Sequence, residues 1–376
     1  MRFLGNEYNR NELAGAFGDL GTFIPFVAAY ITLNKMDPLG ILVAFGVFKI
    51  FVGQYFRTPM PVQPMKAIGG MAIAHPESIT QGMIWGSGLF TAVFWLVLGL
   101  SGAVSWLHKI TAKPITRGIM LGLGLSFVVE GIKMMGDQPI VAVIAAAGTF
   151  FLLSREKFPA MLVLLAFGMS VALISNPSLW NELAQINARL RIPEFSLGRI
   201  TWEDLLAGTL ILGLPQVPLT LGNAIIGTAE ENNELFPDRP AKVKTIALDH
   251  GFMNVFSTVI GGIPLCHGAG GMAGHVRFGA RTGGALVILG LIVLGLGLFF
   301  SDSVATIFKM FPAAILGVIL FFTGLELASI TRDIGNRRSD VYIMLVTAGL
   351  AMWNMGVAYL AGLVLYYGAE KRILKF

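Results

Sequence analysis

Charge is what this sequence has least of. Only 13% of its 376 residues are Asp, Glu, Lys or Arg, against roughly 25% in a soluble domain. So few charges cannot cover a surface facing water, so a soluble globular protein is excluded and most of the exterior must face lipid. Cysteine is scarcer still. Cys266 stands alone, which excludes an intramolecular disulfide and any inference about redox compartment. No cleavable leader is expected, because MRFLGNEYNRNE is polar and runs straight into the first apolar stretch. H-E-x-x-H, G-x-S-x-G and C-x-x-C are missing, so no catalytic residue, metal site or cofactor is expected and the chain does not read as an enzyme. The formal net charge of +5 would suit nucleic acid, but the placement of the basic residues explains it through membrane topology, and no nucleic-acid partner is expected.

What is present is apolar: 55% of the chain is hydrophobic. A membrane-crossing helix needs about 20 mostly apolar residues. Hydropathy predicts spans at 12–32, 38–56, 81–107, 114–131, 138–153, 159–175, 203–226, 246–262, 283–300, 304–328, 339–352 and 354–370. Two further stretches, 64–75 and 267–278, are too short and glycine-rich to cross alone and read as half-helices. With the N-terminus inside, one face collects most of the basic residues, among them Arg57, Lys109, Lys113, Arg117, Arg155, Lys157, Arg239, Lys242, Arg332 and Lys375. The other receives Lys35, Lys133, Arg189, Arg191 and Arg199. That asymmetry predicts a multi-pass protein of the plasma (inner) membrane with both termini cytoplasmic. The outer loop 176–202 carries a predicted interfacial helix over Leu179–Leu190, and 229–244 is predicted as the longest inner loop.

The two halves resemble each other. LAGAFGDLGTFIPF at 13–26 and LAGTLILGLPQVPL at 206–219 share the LAG triplet and, at the same spacing, Pro25 and Pro218. KAIGGMA at 66–72 and HGAGGMA at 267–273 share GGMA at the same interval after Lys66 and His267. Two matches in the same order predict an internal repeat. Residues 1–175 form the first repeat, 176–202 an extracytoplasmic linker and 203–376 the second. Each half holds about seven segments, an odd number, so the second enters the membrane from the opposite side. Inverted repeats with interrupted helices are the usual build of secondary transporters.

Before each GGMA lies a proline-bearing stretch, Thr58–Pro64 and Ile260–Cys266. Proline lacks an N–H and biases its predecessor away from helix. Each unit therefore reads as extended chain followed by a short helix beginning at mid-membrane, where irregular backbone is tolerated only in a protein interior or beside a wet cavity. Opposite orientation would aim the two helix N-termini at each other and make an anion site from free N–H groups. Lys66 and His267 would add positive charge there, and Gly268, Gly270 and Gly271 would let a ligand approach the backbone. Each has a plainer alternative. The glycines could serve packing, Lys66 could neutralise helix C-termini or snorkel, and a neutral His267 could satisfy backbone groups. Cys266 reads as core filler. GAGGMA at 268–273 also fits a dinucleotide fingerprint, but no βαβ unit and no following acidic residue support it.

Asp19 sits inside the first span. An isolated carboxylate there is either a coupling group for a proton or cation or half of a salt bridge, with Lys49 and Arg277 as candidate partners. Glu130 and Glu326 lie near helix ends and read as solvated or interfacial; Asp249 reads as structural.

PMPVQPMKAIGG, GLPQVPLTLGNAIIGTAEE and PLCHGAGGMAGHVRFGARTGG resemble signature stretches of the molybdate transporter family, a relative of the SulP sulfate permeases and uracil permeases. The resemblance covers nearly the whole chain. It implies an all-α membrane protein of about 14 transmembrane segments in two inverted seven-segment repeats, divided into core and gate domains. It further implies a substrate site at Gly21 and Thr22, at Gln63, Pro64, Met65 and Lys66, at Gln216 and Asn223, and at His267, Gly268, Ala269, Gly270 and Gly271. No STAS domain of the kind SulP proteins append is expected. Uracil-permease relatives carry glutamates where this chain has Gln216, and a neutral amide can donate to a dianion without repelling it. The function expected is alternating-access transport of a tetrahedral oxyanion, molybdate first, with tungstate and sulfate as near neighbours. A sulfate transporter and an anion channel stay open as alternatives, as do a homodimer and a co-transported proton or cation.

Overall fold

The computed structural model describes residues 2–154 and 160–374. Arg155, Lys157 and Lys375 lie outside the described residues, as does the first residue of the predicted 159–175 span.

Short polar punctuation sets the helix ends. Asn9 accepts from the N–H groups of Asn11 and Glu12 and starts α1 (Arg10–Ala16); α2 (Leu20–Thr32) follows at a 42° bend. The predicted single span 12–32 is thus broken, with Asp19 at the break. Asp37 caps α3 (Pro38–Phe56), whose Pro38 occupies the first turn, where the absent N–H costs nothing. The half-helix α4 (Lys66–Ala74) comes next, then α5 (Gln81–Ser101), capped by Thr80. Gly102 at φ 78° separates α5 from α6 (Ala103–Ile110), so the stretch predicted as one helix over 81–107 is two. Then come α7 (Lys113–Met135), α8 (Pro139–Leu153), α9 (Ala160–Ser175) and α10 (Ser178–Ala184).

The second half opens with a Thr201–Asp204 capping box and α11 (Trp202–Leu235), which contains two π-helical stretches. Then follow α12 (Val243–Val259), the half-helix α13 (Ala269–Arg277), α14 (Gly284–Phe308), α15 (Ala313–Ser329), α16 (Arg338–Trp353) and α17 (Met355–Glu370). The loop predicted from 229 begins only after Leu235. Its first turns stay helical because their carboxylates find partners on α7: Thr116 donates to Glu230 at 2.7 Å and Arg117 to Glu234 at 2.5 Å. The helix predicted over Leu179–Leu190 stops at Ala184, and the N–H groups of Arg189 and Arg191 bond instead to the Phe299 and Leu298 carbonyls within α14.

This is an integral, multi-pass helical membrane protein. Among the described residues, six helices are long and apolar enough to cross a bilayer, or up to eight with the bent pairs counted. Among the described residues, strand is confined to four two-residue pieces: β1 (Arg2–Phe3) pairs antiparallel with β2 (Asn6–Glu7), and β3 (Gln63–Pro64) with β4 (Leu265–Cys266). Helix α3 packs on α14, α5 on α12, and α7 on α15 and α16. Glycines permit the closest crossings: a Cβ at Gly124 would lie 2.8 Å from the Gly324 oxygen, and one at Gly317 2.6 Å from that of Gly131.

Candidate functional site

Gln63 faces Cys266, and Pro64 faces Leu265, across the β3–β4 ladder. The Met65 N–H extends the ladder to the Pro264 carbonyl at 2.9 Å. Because the strands are antiparallel, α4 and α13 leave this short ladder from opposite ends. Both proline-bearing stretches therefore satisfy each other's backbone deep in the protein, where no solvent could do so.

The two helix N-termini are not equivalent. At α4, Gln216 reaches in from α11, its Oε1 accepting from Ala67 N–H at 2.8 Å, while its Nε2 donates to Thr220 at 2.9 Å. Gln216 thus fills the α4 terminus. At α13, the N–H groups of Ala269 and Gly270 have no acceptor among the described residues.

Around that terminus four of the sequence-selected residues meet. Gln63 Nε2 donates to Thr22 Oγ1 at 2.8 Å, and Thr22 donates to the Asp19 carbonyl at 3.0 Å. A Cβ at Gly268 would stand 2.6 Å from Gln63 Oε1 and 3.5 Å from Asn223 Nδ2. Gln63 Oε1 and Asn223 Oδ1 are both buried without a hydrogen-bond partner. Asn223 lies in the second π-helical stretch of α11, a distortion that often marks functional positions.

Lys66 approaches from the other half-helix. Its ammonium is buried, makes no hydrogen bond among the described residues, and rests 4.2 Å from the centroid of the Phe127 ring. A cation–π contact contributes about 0.5–2 kcal/mol and leaves all three N–H donors unused. Phe127 also fills the space beside Gly270, where a Cβ would overlap its ring. Nothing in the sequence singled Phe127 out, since a phenylalanine in an apolar span is unremarkable.

Other expectations need correction. Gly21 packs on α15, with a Cβ there falling 2.8 Å from the Leu316 oxygen. Gly270 and Gly271 are close to protein rather than open to a ligand: Phe127 covers the first, Pro61 and Gln63 the second. His267 supplies no free charge. Its Nδ1 bonds to the Pro61 carbonyl at 2.6 Å and its Nε2 to Asp249 at 2.7 Å. A carbonyl only accepts, so Nδ1 carries hydrogen. The second bond sets the Asp249 carboxyl group against the ring, so His267 offers no unmatched charge. The His267 N–H donates to His250, and its carbonyl accepts from Thr228 at 2.7 Å. Met65 and Ala269 are fully buried, and Pro64 serves in the ladder. Cys266 is buried, as a core filler would be.

Asp19 pairs with Lys49 at 2.9 Å, both side chains wholly buried, and His275 Nε2 lies 3.6 Å away. Of the two partners expected for Asp19, Lys49 takes the place and Arg277 goes to Glu326 at 3.4 Å, so Glu326 is not simply solvated. Glu130 is exposed beside Lys133. Among the described residues no cluster of His, Cys, Asp or Glu could hold a metal ion.

Residues 11–127 and 208–327 match the family model described as "Molybdate transporter of MFS superfamily". The chain is 34% identical to Molybdate transporter 2 of Arabidopsis thaliana over 97% of its own length and 88% of the relative's. It is 31% identical to Molybdate transporter 1 of the same plant, over 94% and 87%. Among solved structures it superposes on the transmembrane domain of the cyanobacterial bicarbonate transporter BicA (TM-score 0.57, 16% identity, 95% of this chain and 98% of that one). It also superposes on the murine Solute Carrier 26 family member A9 anion transporter in the inward-facing state (TM-score 0.62, 12% identity, 98% and 69%). At such identities these two structures speak for the fold alone.

Proposed function

The chain belongs to the molybdate transporter family, and from that premise we propose that it carries a tetrahedral oxyanion, molybdate first, across the membrane by alternating access. The observation that carries the reading is the junction of the two half-helices. The Lys66 ammonium, without a hydrogen-bond partner among the described residues, rests on the Phe127 ring that packs against Gly270 of α13, and the α13 terminus, with two unclaimed N–H groups, lies beside the buried amides of Gln63 and Asn223. Donors without acceptors, beside a positive helix end, suit an anion. In this reading Lys66 supplies the fixed charge, the Asn223 amide group donates to the oxygens, the Gln63–Thr22 pair shapes the wall beside Gly268, and Gln216 holds the α4 terminus in shape.

Symmetry supports the finer architecture, about 14 segments in two inverted repeats (1–175 and 203–376, joined by 176–202) with core and gate domains. The second and eleventh segments, α3 and α14, pack as the ninth and fourth, α12 and α5, do; the fifth and twelfth, α7 and α15, pack on each other. A two-fold relation in the membrane plane exchanges these contacts. The basic-residue asymmetry supports cytoplasmic termini. Asp19, the coupling candidate the sequence offers, is already paired with Lys49, so a proton there would have to displace the ammonium.

The test is equilibrium binding to purified protein across molybdate, tungstate, sulfate and uracil. Binding of molybdate and tungstate ahead of sulfate, with none of uracil, is expected. Tight uracil binding, or no oxyanion binding at all, overturns the reading.

A further inference from the structure

Three glutamates lie close together near the end of α11, and two of them are partnered. Glu230 accepts from Thr116, and Glu234 pairs with Arg117. Glu231 is different. It is fully buried, and neither carboxyl oxygen has a hydrogen-bond partner among the described residues. The charges that act on it are Glu326 of α15, Arg117 of α7 and its own neighbour Glu234. The bases nearby are already engaged: Arg117 with Asp333 and Glu234, and Arg277 of α13 with Glu326. His275, the other titratable group on α13, faces Gly15 and Asp19. A buried ionised carboxylate without donors is costly by several kcal/mol, and such a group becomes neutral by taking up a proton.

The geometry points to Glu231 as a proton-binding site, occupied in this conformation, whose proton travels with the transported anion. One carboxyl oxygen holds the proton, taken from water on one side and returned to water on the other. The site is tied to the half-helix junction through its own helix. One turn earlier, Thr228 donates to the His267 carbonyl, next to Gly268, and the following residue, Asn232, accepts from Thr58 at 2.6 Å, at the start of the other proline-bearing stretch. Movement of either arm therefore changes what surrounds Glu231. A carboxyl that is neutral when sealed and ionised when water or a donor reaches it links proton occupancy to conformation. Asp19 lacks this property here, because Lys49 already pairs with it.

The coupling half of this inference rests on the transport reading; the proton-binding half does not, and the experiment separates them. Infrared difference spectra of the purified protein at neutral pH, wild type minus Glu231→Gln, are expected to contain the C=O stretch of a protonated acid, shifted on deuteration. A difference containing only ionised-carboxylate bands overturns the proton site. Glu231→Asp retains an acid and should keep the band at a moved frequency, which covers the case in which the glutamine variant fails to fold. In proteoliposomes, an inward proton gradient should stimulate molybdate uptake by the wild type. Glu231→Gln should lose that stimulation while still exchanging molybdate for molybdate. Undiminished stimulation overturns the coupling role. Failure of the wild type to bind or move any oxyanion sinks the transport reading and leaves the infrared result standing.

Discussion

Lys66 presents the plainest case at the scale of single residues. Its ammonium rests on the Phe127 ring and has no hydrogen-bond partner among the described residues, so it gains more from an anion than the fold gains from it. A charge-assisted hydrogen bond contributes about 1.5–3 kcal/mol, and about 1.4 kcal/mol corresponds to a decade in affinity. Lys66→Ala should weaken molybdate binding by roughly ten- to a hundredfold and leave the melting temperature unchanged or higher; calorimetric titration and a thermal melt check both. Asp19 and Lys49 have the opposite relation, each being the other's counter-charge in a dry interior. Removing one partner from a buried pair costs about 3–5 kcal/mol. Asp19→Asn should therefore lower the melting point, and Asp19→Asn combined with Lys49→Met should recover most of it. A single variant that melts like the wild type but loses the pH dependence of uptake would favour the coupling role instead.

The elements that matter are the half-helices and what presses on them. Gly270 is the point on α13 where the Phe127 ring of α7 lies against the backbone. Gly270→Leu should abolish binding by expelling that ring and the lysine above it, and even Gly270→Ala should cost activity. Phe127→Ala makes room, so the double variant Gly270→Ala with Phe127→Ala should bind better than Gly270→Ala alone. If it does not, α13 has a ligand on that side rather than a ring. At α4 the support is Gln216, which caps Ala67 N–H from a helix far along the chain. Gln216→Leu removes that acceptor and should loosen the half-helix, measurable as faster amide exchange at Ala67 and Ile68.

The whole molecule has to be oriented in a bilayer for any of this to transport. Since Cys266 is the sole cysteine and is buried, a Cys266→Ala background lets single exposed cysteines report sidedness. Lys35 and Lys133 are exposed on what is proposed as the outer face, and Lys109 on the inner. A membrane-impermeant thiol reagent should label Lys35→Cys and Lys133→Cys in intact cells and Lys109→Cys only after permeabilisation. Labelling of all three in intact cells would contradict the proposed two-sided arrangement.

Hydropathy and proline determine local backbone, and these were legible without coordinates. The α3 span matches its predicted 38–56 range, and both half-helices begin within two residues of the predicted positions, because apolar run length and missing N–H groups act over a few turns. GGMA after Lys66 and after His267 likewise located the two arms that pair as β3 and β4. What the sequence could not contain was the choice of partners. Either Lys49 or Arg277 could have neutralised Asp19; helix packing brought Lys49 to it and sent Arg277 to Glu326. His267 read as a source of charge until Asp249 came to lie 2.7 Å from its ring. Neither Phe127 nor Glu231 was singled out in the sequence, since one is defined by the cation it covers and the other by the donors it lacks. Hydrogen bonds and ion pairs act over about 3–4 Å. Only the tertiary structure decides which residues, far apart along the chain, come within that distance.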